Sequence, residues 1–260
     1  MARVIAVTNQ KGGVGKTTTA INLAACLAAA EKRTALVDMD PQGNATSGLG
    51  VSRKGPGPYI YEVLMGEAKA SKALCHAAVP ALDILPSSSA LLGAEVELVG
   101  AEEREQRLKN ALAELLGDYA YILVDCPPSL GLLTLNALAA AHSILIPLQC
   151  EYYALEGLTH LLTTLRLVRR SFNPDLTIEG ILFTMYDSRL SLNRQVVEDV
   201  RRNFPGRVFR TVIPRSIRLS EAPSFGKPVI LYDIRSAGAE AYLNLAKEVI
   251  NGTTGARPGP

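Results

Sequence analysis

At 260 residues the chain can bury a sizeable core in one domain, and its 48% hydrophobic and 20% charged fractions are those of an ordinary globular protein. A net charge of +2 excludes a polycation, so any affinity for nucleic acid must come from a local patch. Four cysteines (Cys26, Cys75, Cys126, Cys150) without a C-x-x-C pair, and three scattered histidines, argue against a disulfide framework or a zinc site and suit a reducing cytosol.

Short apolar runs alternate with longer amphipathic ones. The first, "RVIAVT" at 3–8, is too short for a secretory signal, and no run approaches the ~20 apolar residues that span a bilayer, so a cytoplasmic protein is expected. A helix is predicted over Thr17–Ala30, with Ile21, Ala24 and Ala28 recurring on one face. The run "TALVDM" at 34–39 follows, then a loop, "RKGPGP" at Arg53–Pro58, and another run, "LDILPS" at 82–87. A helix over Glu102–Leu116 leads to "YILVDCP" at 121–127 and "SILIPLQ" at 143–149. A helix over Leu155–Arg170 precedes the runs "IEGILFT" at 178–184 and "RVFRTVIP" at 207–214. Most of these strand cores lack polar alternation, as strands buried on both faces do. The pattern predicts an α/β fold, a doubly wound, mostly parallel sheet with helices on both faces, as one domain over 1–250. The remainder, "NGTTGARPGP" at 251–260, reads as a disordered tail.

Between the first strand and first helix lies "NQKGGVGKTTT". Gly15-Lys16-Thr17 supplies the end of a P-loop in the strand–loop–helix context that motif requires. Gly12, Gly13 and Gly15 leave backbone N–H groups, with those of Val14 and Thr18, free to close around phosphate oxygens at a helix N-terminus. Lys16 is expected to reach the β- and γ-phosphates, and the Thr17 hydroxyl to coordinate Mg²⁺. The ordinary motif's first glycine is Gln10 here, followed by a second lysine, Lys11. Asp38, Asp40 and Asp125 end or follow strands at the sheet edge where ligands bind in open α/β folds.

"KGGVGKTT" resembles the deviant P-loop of the ParA/Soj branch of the Walker ATPases, which also includes MinD and the nitrogenase iron protein. "VDMDPQGNAT" at Val37–Thr46 resembles that family's first switch, and "ILVDCPPSLGLLTLNAL" at Ile122–Leu138 its Walker B strand and second switch. "EYYALEGL" at Glu151–Leu158 and "VIPRSIRLSEAPSFGKP" at Val212–Pro228 are similar to ParA-type partition proteins in particular, and the likeness runs from Arg3 to Ile250. The resemblance implies a Mg²⁺-dependent ATPase that partitions a chromosome or plasmid. It implies that Lys11 reaches the nucleotide of a partner in an ATP-dependent homodimer, acting as an arginine finger does. Asp40 matches the switch aspartate that positions the attacking water beside Mg²⁺, Asp125 matches the Walker B carboxylate that acts on Mg²⁺ through water, and Asp38 supports the metal or orients the loop. Pro214 and Ser216 match the segment near the adenine; family members often carry Asn at the Ser216 position. "TMYD" at Thr184–Asp187 lacks the Asn and Lys of a guanine-reading element, which favours ATP.

Between Tyr186 and Arg235 ten basic residues face five acids, so that fifth of the chain carries +5. Arginine's planar fork suits phosphate. Arg189 and Arg218 match positions used by ParA-type proteins for sequence-independent binding of double-stranded DNA, with Arg215 a neighbour. The expectation is a nucleotide-gated DNA clamp on the nucleoid, with hydrolysis stimulated by a ParB-like centromere-binding protein. With no long extension before the first strand, no added operator-binding domain is expected. The alternatives are a MinD-like positioning ATPase, for which the C-terminal segment lacks a basic amphipathic membrane helix, and another deviant Walker ATPase without DNA binding. An iron–sulfur carrier using Cys126 is disfavoured by the lack of paired cysteine spacing.

Overall fold

The computed structural model describes residues 1–252. Its strands are β1 (Arg3–Val7), β2 (Thr34–Asp38), β3 (Cys75–His76), β4 (Leu82–Leu85), β5 (Tyr121–Asp125), β6 (Ser143–Gln149), β7 (Thr177–Tyr186) and β8 (Val208–Pro214). They form one sheet in the order β3-β4-β2-β5-β1-β6-β7-β8, parallel throughout except for β3 against β4. All seven expected strands form. β3 was not expected, because two residues without an apolar run become a strand only by pairing with β4.

Alternation along the strands feeds two core layers. Val4 and Ala6 of β1, with Ile122 and Val124 of β5, enter one layer, which holds Ile60, Leu108, Leu133, Leu161 and Val200 from five helices. Ile5 and Val7, with Leu123, enter the other, against Leu23 and Leu27 of helix Lys16–Ala29 and Tyr242 and Leu245 of helix Ala237–Asn251. Continuous apolar runs are what a sheet covered on both faces requires.

Three expectations need correction. The helix expected from Glu102 begins at Arg107 and tightens into a 3-10 turn at Ala113–Leu115. The reason is tertiary: the Asn136 side chain accepts the Leu108 N–H at 3.1 Å and donates to the Arg104 carbonyl at 2.7 Å, holding 101–106 as turns. Several helices, among them Ile60–Met65 and Ser191–Asn203, were not expected, although Val196, Val197 and Val200 give the second an apolar face at helical spacing. At the other end, Asn251 closes helix Ala237–Asn251 and Gly252 caps it at φ 65°, so both belong to ordered structure. The rest of the expected tail lies outside the described residues.

Candidate functional site

The loop after β1 opens at the C-terminal edge of the sheet. Asn9 ties its start down, donating to the Pro147 carbonyl at 2.7 Å while accepting the Lys11 N–H at 3.1 Å. Gly13 and Gly15 hold φ of 75° and 86°, the left-handed region that side chains disfavour. Gly15 is the N-cap of helix Lys16–Ala29, whose first N–H groups are therefore open to an anion. Thr184, at the end of β7, braces the loop by donating to the Val14 carbonyl at 2.8 Å.

The two lysines of the loop differ in placement. Lys16 is buried, and its ammonium donates to the Lys11 carbonyl at 3.0 Å, beneath the loop. Burial pulls its pKa down, while the charges of Asp125 and Asp40 oppose that shift. Lys11 is half exposed, and its ammonium pairs with Glu151, just beyond β6.

The carboxylates come from neighbouring parallel strands, β2 and β5, where Asp38 stands in register with Asp125. Asp38 is fully buried and accepts from the Thr46 N–H at 2.8 Å, the Thr46 hydroxyl at 2.7 Å and the Asp40 N–H at 3.2 Å. Burial raises its pKa to about 6 against the pull of those hydrogen bonds. Asp40 accepts the Gln42 N–H at 2.9 Å, and its carbonyl accepts the Ser87 hydroxyl at 2.7 Å. Asp38 thus ties the segment from Asp40 to Thr46 to the end of β2.

Asp125 is different. Both its carboxylate oxygens are buried and have no hydrogen-bond partner. Burial first, then the charge of Asp38, holds its pKa well above the usual carboxylate range. The Thr17 hydroxyl approaches closely enough to favour the charged form without reaching hydrogen-bonding geometry. An orphaned buried carboxylate beside a threonine hydroxyl fits a divalent cation. Among the described residues no three His, Cys, Asp or Glu side chains gather to enclose a metal. Mg²⁺ takes one or two protein oxygens and fills its shell with phosphate and water. Cys126 is fully buried, and burial pushes its thiol pKa up, so it is a packed residue rather than a reactive one.

Two concavities meet at the loop. A cleft of about 400 Å³ is lined by Gly12, Gly13, Lys16, Thr17, Asp40 and Met185. Beside it a cavity of about 240 Å³ is lined by Thr18, Pro214, Ser216, Leu219, Pro223 and Tyr242, and both share Gly15, Thr18 and Met185. Pro214 and Ser216, expected near the adenine, both line this second cavity. Met185, Leu219 and Tyr242 were missed, being apolar or aromatic residues from distant parts of the chain with no local motif.

The three candidate DNA-contacting arginines are exposed. Arg189 grips Asp187 with Nε at 2.9 Å and Nη2 at 2.6 Å, which holds that carboxyl down at about 2. The Arg215 charge lowers the Asp187 carboxyl further, to a smaller degree. Arg218 pairs with Glu221 at 2.9 Å and with Asp233 at 3.2 Å. No described helix is long and apolar enough to cross a membrane.

Comparison with known proteins matches residues 2–178 to the family described as an AAA domain. The chain is 57% identical over 258 residues to the chromosome partitioning protein ParA of Myxococcus xanthus, covering 99% of this chain and 91% of that protein. It is 57% identical over 249 residues to the sporulation initiation inhibitor protein Soj of Bacillus subtilis, covering 96% and 98%. Among solved structures, a Mycobacterium smegmatis protein titled cobyrinic acid a,c-diamide synthase, with a bound ATP analog and magnesium, superposes with a TM-score of 0.86 at 40% identity, covering 100% and 99%. The cell division ATPase MinD of Pyrococcus furiosus superposes with a TM-score of 0.80 at 26% identity, covering 96% and 99%.

Proposed function

The chain belongs to the ParA/Soj family of partitioning ATPases, and from that premise we propose that it is a nucleotide-gated DNA clamp whose dimer is closed by Lys11 acting in trans. It is an ATPase that works on ATP with Mg²⁺. The cleft of Gly12, Gly13, Lys16 and Asp40 would take the triphosphate, and the cavity of Pro214, Ser216 and Tyr242 the base. Thr17 and Asp125 would hold Mg²⁺, which would supply screening of the phosphate charge. Asp40, fixed by Gln42 and Ser87, orients the attacking water. Phosphoryl transfer does not require a strong general base, and intrinsic turnover is slow until the dimer closes.

The observation that carries this reading is the divergence of the two lysines. Lys16 points inward beneath its own loop, whereas Lys11 extends outward to Glu151 on the surface. A second cation so placed serves a phosphate that approaches from outside, on another copy of the chain. Pairing two protomers sets their arginine patches side by side. Doubled patches raise the effective concentration at one duplex and multiply salt-sensitive phosphate contacts, without base readout. A ParB-like protein stimulates hydrolysis and releases the clamp.

The MinD-like alternative loses ground on one point. The apolar side of helix Ala237–Asn251, including Tyr242, Leu245 and Val249, is buried in the core and is not free to enter a membrane.

Lys11→Ala and Lys16→Ala separate the roles. The first leaves ATP affinity near wild type while abolishing the ATP-dependent dimer seen by analytical ultracentrifugation; the second weakens ATP binding itself. Loss of ATP binding in both would refute the trans assignment. Gel shifts on unrelated DNA with ATP, ADP and no nucleotide test the gate, and equal binding in all three would remove it.

A further inference from the structure

One buried polar side chain lies between the phosphate cleft and the basic edge, unused by the reading above. Asn193, the third residue of helix Ser191–Asn203, is 6% exposed. Its Oδ1 accepts the Asp187 N–H at 2.8 Å, and its Nδ2 donates to the Cys150 carbonyl at 2.9 Å. A buried carboxamide bonded at both ends to the backbone of two different segments is a fixed strut. Its removal leaves one N–H and one C=O to find new partners.

The segments it joins are the two that matter for a clamp. Cys150 directly precedes Glu151, the counter-ion of Lys11. Asp187 directly follows β7 and grips Arg189 through both carboxylate oxygens. Two residues before Asp187, Met185 holds φ at 50°, left-handed for a residue with a side chain, and lines both the cleft and the cavity. The intervening Tyr186 carbonyl accepts the Arg215 N–H at 3.2 Å. The stretch 184–189 therefore touches the glycine loop through Thr184 at one end and carries Arg189 at the other.

We propose that Asn193 is a positioning residue that holds Arg189, through Asp187, in fixed register with the Lys11–Glu151 edge, so that protomer pairing sets the spacing of the two Arg189 side chains on DNA. The inference rests on the clamp reading and deepens it. Arg189 supplies charge; Asn193 supplies geometry. A two-site contact gains from effective concentration only when both sites reach the same duplex, so loosening one strut costs the paired state and spares single-site affinity.

The test is a double-mutant cycle read by fluorescence anisotropy on a short duplex of unrelated sequence. Wild type, Asn193→Ala, Arg189→Ala and the double variant are each measured with ATP and with ADP, alongside ATP affinity and dimer fraction. Asn193→Ala keeps ATP affinity, the dimer and the weak ADP-state DNA binding, but loses roughly tenfold of the ATP-state DNA affinity. The double variant falls no further than Arg189→Ala alone, because the strut acts through that arginine. Wild-type behaviour of Asn193→Ala, equal losses in both nucleotide states, or additive losses in the double variant would each overturn the assignment. If wild type itself gains no DNA affinity with ATP, the clamp reading fails in that first arm and takes this inference with it. Asn193→Ser, which keeps a hydroxyl in the same turn, replaces the alanine variant in the cycle if the latter melts below the assay temperature.

Discussion

The ends of β2 and β5 make a natural comparison. Asp38 and Asp125 face each other across adjacent parallel strands, and both are fully buried. One accepts three hydrogen bonds, and the other accepts none. The same residue type in the same layer thus does two jobs. A carboxylate with its hydrogen bonds filled helps hold the fold, while an orphaned one carries a desolvation cost that a proton or a cation offsets. Sequence position cannot separate them, since each simply closes an apolar run.

Replacing each carboxylate should break the comparison in opposite directions. Asp125→Asn should lower Mg²⁺-dependent ATP turnover by about a hundredfold or more. Its melting temperature without nucleotide should hold or rise, because a neutral amide is cheaper to bury. Asp38→Ala should instead destabilise the nucleotide-free protein by about 3 kcal/mol, through the Thr46 and Asp40 N–H groups it strands. Calorimetry of both variants decides the matter; a large fall for Asp125→Asn and none for Asp38→Ala would exchange their roles.

Thr46→Val sharpens the point at lower cost. The hydroxyl donates to Asp38 and accepts the Ser87 N–H at 2.9 Å, so its loss should destabilise by roughly 1–2 kcal/mol while ATP affinity stays near wild type. Chemical denaturation and nucleotide titration measure the two halves of that statement. The smallest effect is in pH. Asp38 has a folded pKa raised to about 6 from an ordinary 3.8, so the native state holds its proton more tightly than the unfolded chain. Its contribution is full below pH 4 and lost as pH rises through 6, which amounts to about 1 kcal/mol between pH 5 and pH 7. Asp38→Asn should show a flatter stability profile over that window, and an unchanged slope would discard the explanation.

Legibility from the sequence followed the range of the interactions. The seven long strands were readable because burial on both faces forces continuous Val, Ile and Leu runs. The glycine loop was readable because strand, loop and helix are contiguous. Glu102 misled because a charged, helix-favouring stretch is overruled by Asn136, which lies 28 residues beyond the Leu108 N–H it accepts. The Asp125 orphan, the Thr46 clamp on Asp38 and the apolar lining of the cavity all depend on contacts between distant segments. No local pattern marks Met185 or Tyr242 as neighbours of a phosphate loop.

Tyr242 has a consequence for the order in which the site can come into being. Its ring lines the cavity beside Gly15 and Thr18, and its hydroxyl meets that of Thr19 at 3.2 Å across a separation of 223 residues. During synthesis the glycine loop emerges early, but Tyr242 follows Thr19 by 223 residues. The cavity beside the loop is therefore complete only once helix Ala237–Asn251 has packed. A ribosome-bound intermediate lacking helix Ala237–Asn251 should therefore hold nucleotide poorly.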